Sequence, residues 1–181
     1  MIIEHTNLDG VLLVKPIIHE DERGYFFESY RDDNFQNIGL SGKFCQDNQT
    51  KSKKNTLRGL HYQLNYPQGK LVRVSLGEVY DVAVDVRLNS PTFGQYYGNI
   101  LSDNNHFQMY VPPGFAHGYI VISEFAIFQY KCTEVYHPED EFGIRWDDPK
   151  LSIDWKITNP IISNRDKKLP FLSNQKDLPI Y

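Results

Sequence analysis

Two histidines lie in runs whose neighbours suit acid–base chemistry. His61 sits in Arg58-Gly59-Leu60-His61-Tyr62-Gln63, and His117 closes Pro112-Pro113-Gly114-Phe115-Ala116-His117. Imidazole is the side chain that gains and loses a proton near neutral pH. A lone strand histidine is more often a hydrogen-bonded core residue, but the neighbourhood shifts that balance. Arg58, three residues earlier, is costly to bury without an anion. Lys70 shares a strand face with Val72 and Val74, where lysine is unusual, although at the strand end it could snorkel to water. Other residues read blandly when taken singly: Tyr130 as a core aromatic, Asp166 as a helix-capping residue near Ser163, and Arg23 as a loop charge.

The elements that must position these residues read as strands. Lys70, Val72, Val74 and Leu76 alternate with Leu71, Arg73 and Ser75. Val82, Val84 and Val86 alternate with Asp81, Ala83 and Asp85, and Phe107, Met109 and Val111 with Gln108 and Tyr110. Ala126, Phe128, Tyr130 and Cys132 share a face opposite Ile127, Gln129 and Lys131. Period two places alternate side chains on opposite faces of a sheet. Turn-forming runs separate the strands: Gly77-Glu78, Asn89-Ser90-Pro91, Ser102-Asp103-Asn104-Asn105 and Pro112-Pro113-Gly114. The pattern predicts an all-β sandwich or barrel with a few short peripheral helices, one opening at Asp32 and one capped by Ser163. With 181 residues and no linker or repeat, residues 1–181 are expected to form one domain.

The bulk composition excludes several roles. A formal net charge of −4 argues against a non-specific nucleic-acid binder. No apolar run approaches the roughly 20 residues needed to cross a bilayer, and the first residues lack the pattern of a signal peptide. Two cysteines, Cys45 and Cys132, are too few for a disulfide framework. They read as reduced thiols in a cytoplasmic protein.

The Pro-x-Gly-x-x-His run around His117 is similar to a signature of cupin β-barrels, which often hold a metal. Such a metal site also needs His-x-His and a Glu. Here the first position reads His61-Tyr62-Gln63, and Lys70 stands seven residues before Gly77, where the Glu would lie. A cation at that place repels a divalent metal, so no metal is expected.

The ordered set of motifs resembles the dTDP-4-dehydrorhamnose 3,5-epimerase family across nearly the whole chain. It runs through Arg23-Gly24-Tyr25-Phe26-Phe27-Glu28, Gln46-Asp47-Asn48, Thr56-Leu57-Arg58-Gly59-Leu60-His61-Tyr62-Gln63 and Gly69-Lys70-Leu71-Val72-Arg73. It continues through Gly114-Phe115-Ala116-His117-Gly118, Tyr130-Lys131-Cys132-Thr133, Glu141-Phe142-Gly143-Ile144 and Ser163-Asn164-Arg165-Asp166. The resemblance implies a cupin-like jelly-roll barrel, a homodimer that exchanges N-terminal strand contacts, and no metal or redox cofactor. It implies a dTDP-linked 4-keto-6-deoxyhexose substrate, in a pathway that supplies rhamnose for bacterial surface polysaccharide. It casts His61 as general base, Asp166 as its orienting carboxylate, Tyr130 as the acid and Lys70 as the cation near the keto oxygen. It casts Arg23, Glu28, Gln46, Asn48, Arg58, Lys70, His117, Glu141 and Arg165 as substrate-binding positions. Phe26 and Tyr136 offer flat surfaces for a thymine.

That chemistry needs those residue types. A proton α to a ketone is far less acidic than an imidazolium, so a base alone does not suffice, and the enolate must be stabilised as it forms. Inversion then needs an acid on the opposite face. Three other readings share features of the sequence: an epimerase acting at C3 or C5 only, a metal-dependent cupin, and a non-catalytic sugar-nucleotide binding module.

Overall fold

Alternating apolar residues on both walls of a sheet sandwich dictate the architecture. The computed structural model describes residues 1–37, 40 and 43–181. One sheet takes β1 (Ile2–His5), β2 (Leu12–Lys15), β5 (Gln46–Lys53), β7 (Lys70–Leu76), β10 (Gln108–Val111) and β12 (Phe125–Cys132), in the order β1-β2-β10-β7-β12-β5. The facing sheet takes β6 (Leu57–Gln63), β8 (Glu78–Asp85), β9 (Tyr96–Ser102), β11 (Phe115–Val121) and β13 (Glu141–Gly143), in the order β13-β6-β11-β8-β9. Every strand pair is antiparallel. This is the cupin-like jelly roll that the strand pattern and the family resemblance led us to expect. A separate hairpin joins β3 (His19–Asp21) to β4 (Gly24–Phe26), and α1 covers Asp32–Gln36.

The two sheets bury a shared interior. Val72, Val74, Met109, Val111, Ala126 and Phe128 from one wall meet Val79, Ala83, Leu101, Phe115, Tyr119 and Val121 from the other. The outer face of the five-stranded sheet is also apolar. The C-terminal segment covers it with Ile144, Leu151, Trp155 and Leu172 packed on Leu57, Val82, Val84 and Ile120. β8 is therefore buried on both faces. The outer face of the six-stranded sheet packs Leu12, Leu71 and Tyr110 against Phe35. Leu76, which shares the parity of the interior residues, reaches the strand end and is exposed.

One irregularity matters for function. β11 pairs with β6 through His117 opposite His61 and Tyr119 opposite Arg58. Between these pairs β6 carries Gly59 and Leu60 where β11 carries only Gly118, so β6 bulges by one residue. Residues three apart on a regular strand face opposite ways. The bulge turns Arg58 and His61 to the same side. Only glycine fits the crossing: Gly59 has φ of +110°, and a Cβ there would lie 2.6 Å from the His117 carbonyl oxygen.

Candidate active site

Residues of both sheets line a cavity of about 590 Å³, a size that suits a small ligand. Its wall includes His61 and Arg58 from β6, Lys70 from β7, His117 and Tyr119 from β11, and Tyr130 from β12. Gln46 and Asn48 on β5, Tyr136, Glu141, Arg165 and Asp166 also line it.

His61 and Asp166 form a hydrogen-bonded dyad, with Nε2 2.9 Å from Oδ1. The ionised carboxylate can only accept, so Nε2 carries the hydrogen and Nδ1 is left as the basic nitrogen. That nitrogen lies 4.0 Å from Glu141 Oε1. Asp166 is buried and is fixed further by the Gly59 amide, which donates to its Oδ2 at 3.4 Å. Burial alone would raise the Asp166 pKa. Hydrogen bonds from His61, Gly59 and Ser163, with the His61 charge, outweigh it and leave the carboxyl below its ordinary value. The capping expected of Ser163 and Asp166 is not what forms: the short helix Asp166–Lys168 has Arg165 at its N-cap with no side-chain cap bond, and the Ser163 hydroxyl accepts the Asp166 amide at 3.0 Å. The Asp166 side chain is thus free to serve the histidine.

Tyr130 faces the cavity with its phenol pushed up to about 12, first by burial and then by neighbouring Cys132, Tyr119 and Glu141. It remains a proton donor at neutral pH. Lys70 also lines the cavity and is half-buried there. Burial pushes its pKa down, while Cys132, Glu141 and Asp81 push it back up.

Around this centre the polar groups hold one another. Glu141 accepts from the Tyr136 hydroxyl at 3.0 Å and pairs with the Arg165 guanidinium. The Tyr136 amide donates to Gln46 Oε1 at 2.8 Å, and Gln46 Nε2 donates to Asn48 Oδ1 at 3.1 Å. Arg58 Nε donates to Ser52 Oγ at 3.2 Å. His117 is buried beside the cavity and bonds Asp81 through Nε2 at 2.9 Å. Among the described residues no three His, Cys, Asp or Glu side chains converge as metal ligands.

Three residues expected at the site lie elsewhere in their own chain. Arg23 and Phe26 project on the β3–β4 hairpin. The Arg23 side chain is 84% exposed and paired with Asp21, and Phe26 is 71% exposed. Glu28 follows the hairpin and bonds Arg31 and Asn34. The hairpin is held to its own chain by Tyr25 and Phe27, whose rings lie 4.5 and 5.0 Å from that of His106, and this anchoring leaves Arg23 and Phe26 pointing outward. Conversely, sequence reasoning passed over Thr50, whose hydroxyl meets the Tyr119 hydroxyl at 2.7 Å in the cavity wall. Inward parity on β5 was the available signal. It also passed over Asp81, placed by alternation but with no role.

Residues 5–174 match the model of the dTDP-4-dehydrorhamnose 3,5-epimerase family. The chain belongs to this family. It is 51% identical to the dTDP-4-dehydrorhamnose 3,5-epimerase of Pseudomonas aeruginosa over 89% of this chain and 90% of that one. It superimposes on the dTDP-6-deoxy-D-glucose-3,5-epimerase of Legionella pneumophila, solved in complex with dTDP-4-keto-L-rhamnose. That match has a TM-score of 0.96 at 48% identity, covering 99% of this chain and 97% of that one. A 3′-monoepimerase from Streptomyces bikiniensis, in complex with dTDP-quinovose, shares the fold at TM-score 0.92 and 30% identity, over 97% of this chain and 92% of that one. As a family member the chain is an isomerase, and the dyad, lysine and tyrosine described above sit in the epimerase barrel's cavity.

Proposed function

We propose that the chain inverts C3 and C5 of dTDP-4-dehydro-6-deoxy-D-glucose, giving dTDP-4-dehydro-L-rhamnose. The observation that carries this reading is the meeting of a base, a cation and an acid in one cavity: His61 Nδ1 freed by Asp166, the Lys70 ammonium and the Tyr130 phenol. His61 takes the α-proton. The electron pair moves onto the C4 oxygen, where Lys70 holds the negative charge. Tyr130 returns a proton from the opposite face, and repetition at the second carbon completes the change. One proton leaves and one arrives at each carbon, so the reaction balances without an oxidant or reductant.

Arg58 and Arg165 at the rim suit the pyrophosphate, and Tyr136 offers a flat face to the thymine. Gln46, Asn48, His117 and Glu141 position the nucleotide sugar. In a homodimer, the exposed hairpin of one protomer completes the cavity of its partner with Arg23, Phe26 and Glu28. The stretch 1–181 then acts as one domain per protomer, and a cytoplasmic setting suits its two free thiols.

Incubation with substrate in D₂O tests the reading. Deuterium at both C3 and C5 of the product is expected. Exchange at one carbon only would make the chain a monoepimerase, and no exchange at either would remove the proposal.

A further inference from the structure

Residues 134–137 lie in no strand or helix, yet they carry Tyr136, an aromatic ring of the cavity wall. Side-chain amides hold their main chain. Gln68 Nε2 donates to the Glu134 carbonyl at 2.7 Å, and Gln46 Oε1 accepts the Tyr136 amide at 2.8 Å. Gln63 grips both neighbours of Tyr136. Its Nε2 donates to the Val135 carbonyl at 3.2 Å, and its Oε1 accepts the His137 amide at 2.9 Å. Nε2 also donates to the Tyr66 carbonyl at 2.7 Å.

Gln63 ends β6 and is 4% exposed, so its amide depends on these three bonds. A primary amide suits the task because it offers two donors and an acceptor; a glutamate lacks the donors, and a neutral imidazole has only one. Stapling of the 64–66 loop does not require it. Asp140 already accepts the Asn65 and Tyr66 amides at 2.9 and 2.8 Å. The bonds to Val135 and His137 act instead on the segment around Tyr136. Glu141 stands opposite Gln63 in the β13–β6 register and accepts from the Tyr136 hydroxyl at 3.0 Å. Two facing residues therefore hold Tyr136 at its two ends, Gln63 by the main chain and Glu141 by the phenol. Tyr136 is nonetheless 44% exposed, so its ring is fixed without being covered.

We infer that Gln63 is a positioning residue for the nucleotide: by holding the main chain on both sides of Tyr136, it presents that ring to the thymine before the substrate arrives. This role rests on the thymine contact proposed for Tyr136. Ordering an exposed segment during binding costs affinity, and ordering it beforehand removes that cost. Gln63 does not itself line the cavity and acts through Tyr136.

Gln63→Met keeps the length of the side chain and removes all three bonds. Calorimetric titration with dTDP is expected to show Kd raised about tenfold. KM for the nucleotide sugar should rise in step, with kcat little changed. Wild-type dTDP affinity in a folded Gln63→Met protein overturns the inference. A double-mutant cycle with Tyr136→Ala separates positioning from general loosening. Once the ring is gone, Gln63→Met should cost little further affinity for dTDP, and losses that add in full overturn the inference. Tyr136→Ala with unchanged dTDP affinity strikes the thymine contact itself, and the role of Gln63 with it. A loss in Tyr136→Ala without one in Gln63→Met strikes the role of Gln63 alone. A further measurement needs no variant: amide hydrogen exchange of the wild-type protein, read by NMR. The Tyr136 and His137 amides should be protected without ligand. Protection that appears only when dTDP is added overturns the inference.

Discussion

Asp166 and His61 are 105 residues apart in sequence and 2.9 Å apart in space, and the contact settles which imidazole nitrogen is free. Nε2 is occupied, so in the proposed reaction proton abstraction falls to Nδ1, on the side of Glu141. His61→Asn should lower kcat by roughly 10²–10⁴-fold while leaving dTDP affinity near the wild-type value. Steady-state kinetics with calorimetric titration of dTDP would check both halves.

Asp166→Asn should cost a similar factor in kcat, because an amide can hold the wrong tautomer. It should also change the response of stability to acid. The native carboxyl has a lowered pKa, so its contribution is complete above the ordinary carboxylate value of about 3.9 and disappears as pH falls through the lower folded value. Urea unfolding of both proteins across that window should show the wild-type advantage at neutral pH shrinking in acid.

Tyr130→Phe separates exchange from inversion. With the base intact, His61 still removes the proton and can return deuterium to the same face. NMR should show deuterium entering the unchanged substrate, with little epimer formed. Because the Tyr130 phenol is held up to about 12, its ionisation does not produce an alkaline limb below that pH. A limb seen at lower pH in the wild type belongs to another group.

Gly118→Ala should destabilise the barrel by about 1–3 kcal/mol. Its Cβ would stand 2.6 Å from the Arg58 carbonyl oxygen, which belongs to the backbone of the bulge and has little room to yield. Chemical denaturation measures the loss. Residual activity should fall further than stability, since any shift of that backbone moves Arg58 and His61.

The proposed sharing of the β3–β4 hairpin between two protomers predicts complementation. Arg23→Ala and His61→Asn homodimers should each be impaired. Mixed dimers should regain one site with an intact His61 from one protomer and an intact Arg23 from the other. Activity that stays at the mean of the two parents would show that the hairpin does not serve the partner.

Much of this arrangement was legible from residue types. The alternation in β7, β10 and β12 places Val72, Met109 and Phe128 in the interior as expected. β8 was harder to read because the C-terminal segment buries its outer face as well, so hydrophobicity does not say that Asp81 and Ala83 point inward. The Arg58–His61 pairing was invisible to a period-two reading, which puts residues three apart on opposite faces. The Asp166 partnership came from the resemblance alone, since local sequence makes that residue a cap and says nothing of a contact 105 residues away. Exposure of Phe26 was equally hidden: its residue type offered a flat surface for a thymine, and only the hairpin shows that it points away from the cavity of its own chain.

Because β6 carries one residue more than β11 between positions 58 and 61, strand length decides that a cation and a base look into the same space. Deleting either Gly59 or Leu60 would leave every functional side chain in the sequence and turn Arg58 to the far side of the sheet from His61. The barrel mouth should therefore accept many changes of residue around it, yet tolerate no change of count in this one stretch, and loops that vary in length among related chains should all fall outside it.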